Sequence, residues 1–441
     1  MIQSILLLKH HFWRVRSSSF FQSVIQSICL IADDINLDRQ WRFSMPIDKN
    51  TPQPFRPSDG KGWIDHGPRN IMRDRENPDI LVPPPTDHGT IPNLRFSFSD
   101  AHMRLEEGGW TREITNRELP ASLDIAGVNM SLEPGAYREL HWHKEAEWGY
   151  MLYGNARVTA IDEDGRIFID DVKEGDIWNF EAGIPHSIQG LDQGCEFLLV
   201  FSEADFSENN TFLLTELISH IPQDVIAANF KMDVDTLKKL PQVEKYIFKG
   251  EVPGPINVVR KHNEHGDVPS PFTFHRDSIT PHECEAGKVY FVDERNFPEA
   301  KTISAAFVEI EPGGMREIHW HPRAQEWLYF IEGKARMTVF NSQGTARTFN
   351  YQAGDVGVVP IVAGHYIQNI GDEPVRFIEV FKRPDAYPIS RYSDISLNAW
   401  LASTPTQIVA DHLNLTFEEA EALPNPGRPE PVIWYKKPEG K

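Results

Sequence analysis

The feature that most constrains the fold of this chain is an internal repeat. The segment Glu133-Pro-Gly-Ala-Tyr-Arg-Glu-Leu-His-Trp-His143 returns as Glu311-Pro-Gly-Gly-Met-Arg-Glu-Ile-His-Trp-His321, and Gly154-Asn-Ala-Arg-Val-Thr159 returns as Gly333-Lys-Ala-Arg-Met-Thr338. The offset between the copies grows by one residue beside Pro322. With 441 residues the chain is long enough for two or three domains. A duplicated unit of this size predicts two similar domains.

Within each unit, short apolar or alternating runs between turn residues predict strands. Arg157–Ile161, Cys195–Phe201 and Arg376–Phe381 are such runs, and Glu174-Gly-Asp176 and Ala353-Gly-Asp355 are such turns. Many short, evenly spaced strands predict a fold dominated by β-structure, of the barrel or sandwich type.

Short helices are predicted after each run of strands. The predicted segments are Thr211–His220, Gln223–Phe230 and Asp233–Leu240 in the first unit, and Ser393–Ser403, Thr406–Leu413 and Phe417–Leu423 in the second. Asp233, Ser393 and Thr416 are the predicted N-cap residues.

Composition changes suggest three parts. We expect residues 1–45 to be a non-homologous extension, either a disordered tail or a gene start placed upstream of the true initiator Met45. Residues 46–248 then hold an arm, the polar and Pro-rich Arg56–Pro92, plus the first barrel with its helices. Residues 249–441 hold a linker near Lys249–Pro271 and the second barrel with its helices.

Charge and cysteine content exclude some classes of protein. The net charge of −20 argues against non-specific nucleic-acid binding, which needs a basic surface. The apolar runs are too short to span a bilayer, so no membrane partner is expected. The three cysteines lack Cys-x-x-Cys spacing, which favours a reducing compartment such as the cytoplasm, although secretion remains an alternative.

Two groups of histidine and glutamate predict metal sites. The groups are His141, His143, Glu147 and His186 in the first unit, and His319, His321, Glu326 and His365 in the second. Positions i, i+2 and i+6 of a strand share one face, and a bulge near Pro322 would restore the aim of Glu326. Three imidazoles and a carboxylate suit a divalent first-row ion with open coordination positions. Surface histidines are the alternative for one copy, but matching copies favour metal binding.

The spacing of these residues resembles the first motif of the cupin superfamily. In this sequence the motif reads Gly135-x5-His141-x-His143-x3-Glu147-x6-Gly154, and again Gly313-x5-His319-x-His321-x4-Glu326-x6-Gly333. The second motif departs from the usual pattern, with Glu181 where proline is common and Val362 where glycine is common. Both are turn positions, so they affect the shape of the loop more than metal ligation.

Further segments are similar to bicupin oxalate decarboxylases of the bacterial type. The segments are Phe96-Ser-Phe-Ser-Asp100, Arg138-Glu-Leu-His-Trp-His143, Phe206-Ser-Glu-Asn-Asn-Thr-Phe212 and Arg347-Thr-Phe-Asn-Tyr-Gln-Ala353, and the likeness covers about residues 50–424. It implies two jelly-roll barrels of the double-stranded β-helix type, each followed by short α-helices. It also implies two Mn²⁺ per chain, conversion of oxalate to formate and carbon dioxide, and dioxygen that is required but not consumed. The assembly implied is a hexamer of two stacked trimers.

The resemblance assigns roles in the first unit. It implies that Ser207–Asn210 is a lid and that Glu208 transfers the proton; the aligned loop of the second unit reads Arg391-Tyr392-Ser393-Asp394. An arginine three residues before the first ligand, Arg138 or Arg316, could bind a carboxylate and stabilise developing charge. Strict alternation points both arginines away from the ligands, so a bulge or a loop must intervene. The alternative is a structural ion pair with the adjacent Glu139 or Glu317.

The second unit is predicted to be more structural than catalytic. Leu199 aligns with Glu379, and Glu379 with Tyr392 would form a polar second site that could also exchange protons. Trp142 and Trp320 lie between the paired histidines, where electron transfer and packing at a unit interface are both open.

Two other functions remain open from the sequence. An oxalate oxidase on the same scaffold would release hydrogen peroxide, and a lid carboxylate such as Glu208 favours decarboxylation instead. A two-barrel storage or sugar-binding protein would be expected to have eroded ligand sets, whereas both sets here are complete.

Overall fold

The structure is a computed structural model, and it describes residues 73, 76, 83–424 and 430–437. The expected extension over residues 1–45 and most of the arm before residue 83 lie outside the described residues. The described residues include the two repeated units and the segments that join them.

Some strands alternate buried and more exposed positions, whereas the central strands are buried on both faces. In the first half they are β1 (Arg95–Ser97), β2 (Met103–Glu106), β3 (Gly109–Ile114), β4 (Ala126–Leu132), β5 (Tyr137–Trp142), β6 (Glu147–Ile161), β7 (Ile167–Lys173), β8 (Ile177–Phe180), β9 (His186–Phe201), β10 (Phe212–Leu213), β11 (Ile247–Phe248) and β12 (Thr273–Phe274). In the second half they are β13 (His282–Cys284), β14 (Gly287–Val292), β15 (Ile303–Ile310), β16 (Gly314–Trp320), β17 (Glu326–Glu332), β18 (Lys334–Asn341), β19 (Thr345–Gln352), β20 (Asp355–Val359), β21 (Gly364–Asn369), β22 (Val375–Lys382), β23 (Ile395–Ser396) and β24 (Val432–Trp434).

The pairing of named strands is antiparallel and repeats between the units. In the first barrel β4 pairs with β9, β9 with β6, and β6 with β8. In the second, β15 pairs with β22, β22 with β17, and β17 with β20. The prediction of two jelly-roll barrels dominated by β-structure is therefore confirmed.

Short helices follow each barrel, as predicted. They are Leu214–Ser219, Gln223–Phe230 and Val234–Leu237 after the first barrel, Ile256–Val259 in the linker, and Leu397–Ala402, Thr406–Leu413 and Phe417–Glu421 after the second; 3₁₀ turns lie at Phe98–Asp100, Glu208–Asn210 and Arg276–Ser278.

Two of the three predicted N-caps are confirmed. Asp233 accepts a hydrogen bond from the Thr236 N–H, and Thr416 forms a capping box with Glu419. The prediction of Ser393 was wrong, because the helix begins later and its cap is Ser396. The extra residues before it form strand β23, which pairs with the ligand-bearing strand β16.

The two units exchange edge strands. Strand β1, at the start of the chain's first half, pairs with β20 of the second barrel, and β12, from the linker, pairs with β8 of the first. Arg95 binds the buried Asp355 carboxylate with Nη2 at 2.7 Å. The end of the predicted arm also lies on the second barrel, where Thr348 donates to the Asp87 carboxylate from its N–H and its hydroxyl. Exchange of edge strands leaves fewer exposed strand edges.

Each barrel has its own apolar core, and a third core joins the two. The interior of the first barrel includes Met151 and Phe197, and that of the second includes Leu328 and Phe377. The third core is formed by side chains of both units; its aromatic members include Trp148, Trp327, Phe98, Phe297 and Tyr329. Burial of this much aromatic surface fixes one barrel against the other. Within the described part of the chain, no helix has the length and apolarity to cross a bilayer.

The turn before the last ligand differs between the units. Gly183 has φ +82° and its N–H donates to the His143 carbonyl at 2.9 Å; Val362 has φ +60° and its N–H donates to the His321 carbonyl at 3.1 Å. A β-branched residue in the left-handed region is strained, whereas glycine adopts it freely. The departure from the cupin pattern at Val362 therefore leaves the loop shape intact at a cost in backbone energy.

Replacing Val362 with glycine is expected to stabilise the protein by about 1 kcal/mol, because the left-handed strain is removed and the exposed side chain contributes little. Thermal unfolding of the metal-free protein measures this change in stability. The matched variant is Gly183→Val, which should destabilise by about the same amount, since a Cβ there meets no atom within 4 Å and only the backbone is strained. Equal stability of all three proteins would contradict this account of the turn.

Candidate active site and metal centres

The first group of predicted ligands converges from three strands of the first barrel. His141 lies on β5, His143 just beyond its end, Glu147 at the start of β6, and His186 at the start of β9. All four side chains are buried, and their ligand atoms lie within 4.8 Å of one another. The expectation that one strand face would carry His141, His143 and Glu147 was wrong, because a turn separates β5 from β6.

The second group has the same construction. His319 lies on β16, His321 just beyond it, Glu326 at the start of β17, and His365 near the start of β21. Its ligand atoms also lie within 4.8 Å of one another. The residue added beside Pro322 lengthens the turn between the strands, so the predicted bulge near Pro322 does not form.

Every ligand histidine is oriented by a backbone carbonyl. Nδ1 donates to carbonyl oxygens at 2.6–3.1 Å, namely those of Glu139, Glu145 and Ile184 for His141, His143 and His186, and of Glu317, Ser393 and Ala363 for His319, His321 and His365. A hydrogen bond from Nδ1 leaves Nε2 as the basic nitrogen. The six imidazoles are therefore set to present Nε2 lone pairs to the centres of the two groups.

Both groups fit a divalent metal ion. In the second, the Nε2 atoms of His319, His321 and His365 and both Glu326 carboxylate oxygens are buried and make no hydrogen bond to a described residue outside the group, while His365 Nε2 lies 2.8 Å from Glu326 Oε2. Such a set of buried lone pairs is costly in a protein interior unless an ion binds them. Three nitrogens and one carboxylate leave further positions of an octahedral ion open to water or substrate.

The protonation states suit metal binding as well. Burial, with the nearby Arg138 charge, lowers the pKa of His141 well below its ordinary value, so this imidazole is neutral. Burial opposes ionisation of Glu147, but His186 and His143 outweigh it and hold the pKa of the carboxyl well below its usual range. Neutral imidazole and ionised carboxylate are the forms that ligate.

Outer hydrogen bonds distinguish the two sites. The Trp178 indole N–H donates to Glu147 Oε1 at 2.9 Å, which fixes the carboxylate of the first site. Trp178 lies opposite Gly149 in β6, and the corresponding position of the second barrel, opposite Leu328, is Gly357. Glu326 therefore lacks this partner.

Arg138 reaches the first site because its strand is irregular. The register of β5 against β9 shifts between Arg138 and His141, and the register of β16 against β21 shifts in the same way between Arg316 and His319. The predicted bulge is confirmed in both units. The Arg138 guanidinium is buried, stacks 4.1 Å from the centre of the Tyr246 ring, and has an Nη1 atom without a hydrogen-bond partner among the described residues. It is available to bind an anion.

The adjacent Glu139 has a different role from the proposed ion pair with Arg138. Its carboxylate accepts N–H groups from Thr215, Lys245 and Tyr246 at 2.7–3.1 Å. These bonds join the helices and strand β11 to β5. Glu139 thereby positions the Tyr246 ring beneath Arg138.

Glu208 is folded into the first site. It begins the 3₁₀ turn Glu208–Asn210, which Ser207 caps, and its side chain is buried. The Thr111 hydroxyl donates to Glu208 Oε2 at 2.9 Å, and the Glu208 N–H donates to Glu113 Oε2 at 3.3 Å. The segment expected to be a lid therefore holds the Glu208 side chain buried against Thr111.

The environment of Glu208 favours its protonated form. Burial raises the pKa of the Glu208 carboxyl, although the Arg138 charge and the Thr111 hydrogen bond act in the opposite direction. A raised carboxyl pKa beside a metal group is a feature of acid–base residues.

In the second site the corresponding arginine is engaged. Arg316 donates to the Tyr392 hydroxyl at 2.7 Å, forms an ion pair with Asp394, and lies 3.5 Å from Glu379. The Tyr392 hydroxyl in turn donates to Glu379 at 3.0 Å. Burial raises the pKa of the Glu379 carboxyl. The predicted polar second site is present, and Asp394 is a member that the sequence did not lead us to assign.

The loop alignment between the units was wrong by one residue. Phe212 of β10 pairs with Trp142, and Ile395 of β23 pairs with Trp320. Since Trp142 and Trp320 are repeat partners, the residues before these strands correspond, so Thr211 matches Asp394. Glu208 therefore has no equivalent at Tyr392.

The two tryptophans between the ligands pack within their own units. Trp142 stacks on Phe212 with ring centres 5.4 Å apart, and Trp320 meets Trp400 edge-on at 5.6 Å. Packing of these rings at a unit interface stays a prediction. Both contacts tie the ligand strand to the segment that follows the barrel.

Comparison with known proteins agrees with the site geometry. A family model described as Cupin matches residues 97–238 and 279–421. Oxalate decarboxylase OxdC of Bacillus subtilis (strain 168) is 56% identical over 379 residues, which are 86% of this chain and 96% of the relative. A probable oxalate decarboxylase of Arthroderma benhamiae is 40% identical over 376 residues, covering 84% of this chain and 91% of the relative.

Solved structures are similar over most of the chain. The formate complex of Lactobacillus farciminis oxalate decarboxylase has a TM-score of 0.76 and 70% identity, with 78% of this chain and 100% of that chain covered. The Bacillus subtilis oxalate decarboxylase structure at pH 4.6 has a TM-score of 0.83 and 55% identity, with 89% and 100% covered.

Proposed function

This chain belongs to the cupin family, among its two-domain oxalate decarboxylases, and we propose that it converts oxalate to formate and carbon dioxide in a manganese-dependent reaction. We propose that the chemistry takes place mainly at the first site, with Glu208 as the proton-transfer residue and Arg138 as the substrate-binding residue. Dioxygen is required but not consumed. Support for manganese comes from the ligand chemistry and from the Mn(II) centres named for Bacillus subtilis oxalate decarboxylase.

One observation carries the assignment to the first site. Beside its ligand group lie a buried carboxyl with a raised pKa, Glu208, and an arginine with a free donor, Arg138. In the second unit the arginine is held by Asp394 and Tyr392, and Leu199 of the first site is replaced by Glu379. The first site alone combines an available cation with a carboxyl on a short loop.

The chain's own residues position the substrate. Manganese, when bound by His141, His143, Glu147 and His186, would supply open coordination positions and, with dioxygen, one-electron oxidising power. Arg138 binds a carboxylate of the substrate and stabilises its charge. The Ser207–Asn210 lid excludes bulk water from the reacting carbons.

The reaction needs no proton from outside the substrate. Hydrogen oxalate contains the atoms of formate and carbon dioxide, so one proton must move from oxygen to carbon. Glu208 accepts it before the carbon–carbon bond breaks and returns it to the carbon that becomes formate. The electron removed at the start returns as well, so dioxygen is not used up. A carboxyl with a raised pKa can serve in both directions near mildly acidic pH.

The test is a product assay on purified, manganese-loaded protein. Formate should form in a ratio of one to each oxalate consumed, in air but not under argon. Peroxide with little formate would instead identify an oxalate oxidase. No product despite full metal loading would contradict both enzyme assignments and favour a binding protein.

The pH dependence should follow Glu208. Its carboxyl must be ionised to accept the proton, and the substrate must keep its own, so the rate should be greatest at mildly acidic pH. In Thr111→Val the hydrogen bond to the ionised Glu208 carboxylate is lost, which raises the pKa of this carboxyl. The acidic side of the curve of rate against pH should therefore move up by about one pH unit. The control Thr111→Ser keeps the hydroxyl and should leave the acidic side of the curve in place. A rate that keeps rising well above neutral pH would contradict these required protonation states of Glu208 and the substrate.

We also propose a homohexamer of two stacked trimers. The helices after each barrel expose large apolar side chains, among them Leu217, Phe230, Trp400 and Leu413. Such faces favour subunit contacts. Light scattering at micromolar concentration should give the hexamer mass; a stable monomer would contradict the proposal.

A further inference from the structure

The repeat places one arginine beside each metal group, and the two have different surroundings. Arg138 lies opposite Ile188 and Ile247, and Arg316 lies opposite Ile367 and Val432. The two arginines therefore occupy equivalent positions in the two barrels. Differences in what they can bind must come from neighbouring side chains.

Arg138 stacks on a neutral ring and has a nitrogen without a hydrogen-bond partner among the described residues. The Tyr246 ring lies beneath its guanidinium, and Nη1 is buried without a partner in the described part of the chain. Its neighbouring acid is Glu208, which burial keeps towards the protonated form. A buried guanidinium without an ionised partner is stabilised by binding an anion.

Arg316 already has partners on both terminal nitrogens, whereas its Nε makes no hydrogen bond to a described residue. Asp394 forms an ion pair with Nη2, the Tyr392 hydroxyl accepts from Nη2 at 2.7 Å, the Pro431 carbonyl accepts from Nη1 at 3.3 Å, and Glu379 lies 3.5 Å from Nε. Pro431 occupies the place of Tyr246, since each precedes the residue paired with the arginine. A substrate carboxylate could take Arg316 Nη2 only by displacing Asp394 from it.

The strand register identifies what replaces Asp394 in the first site. Phe212 pairs with Trp142 as Ile395 pairs with Trp320, so Thr211 stands where Asp394 stands. The Thr211 hydroxyl is buried and has no hydrogen-bond partner among the residues described. The equivalent position thus carries a neutral hydroxyl in the first unit and a carboxylate in the second.

We propose that Asp394 closes the second site to dicarboxylate anions by occupying Arg316, and that Thr211 at the equivalent position leaves the first site open. Asp394 is a specificity-determining residue that separates a substrate-binding copy from a copy that binds metal only. The proposal rests on the proposed function, because oxalate is taken as the ligand of the first site.

The test counts bound oxalate. Manganese-loaded protein with the Glu208→Gln change, which suppresses turnover, is titrated with oxalate by calorimetry under argon. This parent should bind one oxalate per chain, the added Asp394→Thr change should raise the number to two, and the added Thr211→Asp change should lower it to none. Metal content and thermal unfolding are measured on each variant, and Asp394→Asn, similar in shape but uncharged, replaces Asp394→Thr if that variant loses its metal.

The outcomes separate the two proposals. No oxalate bound by the parent would overturn the proposed function. Two bound by the parent would leave the proposed function standing and overturn the role of Asp394. A value of one oxalate per chain in Asp394→Thr or Asp394→Asn, with both metal ions retained, would also overturn the role of Asp394. The Tyr392→Phe variant, which keeps Asp394, should still bind one oxalate per chain.

Discussion

Replacing Glu208 with glutamine is expected to lower formate production by about 10²–10⁴-fold, the usual loss for a positioned acid–base group. The amide oxygen can still accept from the Thr111 hydroxyl, so the side chain should stay buried against Thr111. Both ligand groups and Arg138 remain, so oxalate should still bind. What is lost is the group that accepts the substrate proton and returns it to carbon, so the little oxalate that is still oxidised is not completed to formate. Peroxide per oxalate consumed should therefore rise while formate falls.

Formate and peroxide are measured together at matched metal content, and Tyr392→Phe is the comparison in the second unit. Tyr392 interacts with Arg316 and Glu379, away from the first site, so its loss should have a much smaller effect on formate. Near-normal formate from the Glu208 variant, or greater damage from the Tyr392 variant, would place the chemistry elsewhere.

Replacing Glu147 with alanine is expected to remove one metal ion per chain and to reduce turnover by at least about 10³-fold. Glu147 supplies the only carboxylate of the first ligand group and is fixed by Trp178. Loss of a metal that stabilises substrate charge by several kcal/mol corresponds to such a factor. His141→Ala should have the same result, and metal analysis with an oxalate assay measures both. Full activity of protein with an empty first site would contradict the assignment.

The sequence predicted the parts of the site that the repeat displays. Two copies of the ligand set at matching offsets allowed all eight ligands to be named, and the alternation of β5 required the bulge that brings Arg138 inwards. These features depend on local spacing along one or two strands. Local spacing is what a sequence records directly.

The residues that were missed come from distant parts of the chain. Thr111 reaches Glu208 from β3, and Tyr246 reaches Arg138 after the helices, on the segment that leads into β11. Their proximity results from strand pairing between remote segments, which a single sequence does not show. A repeat-based signal existed only for Trp178, whose aligned position in the second unit is a glycine.

The error in the lid alignment has a physical cause. The loop between β22 and β23 is longer than the loop between β9 and β10, so the offset between the two copies changes within the loop and the sequence alone does not fix which residues correspond. Pairing of β10 and β23 with the ligand strands fixes the correspondence from the other end. Hydrogen bonds between strands, more than loop length, decide which residues are equivalent.

The most direct test of catalysis at the first site uses a chain that holds metal there alone. Glu326→Ala removes the carboxylate of the second group and leaves Glu147, Arg138 and Glu208 untouched. With one manganese per chain, this variant should still yield one formate for each oxalate consumed, at a rate within about tenfold of the parent, a difference of about 1.4 kcal/mol in the barrier. Loss of formate production while the first site keeps its metal would contradict the account.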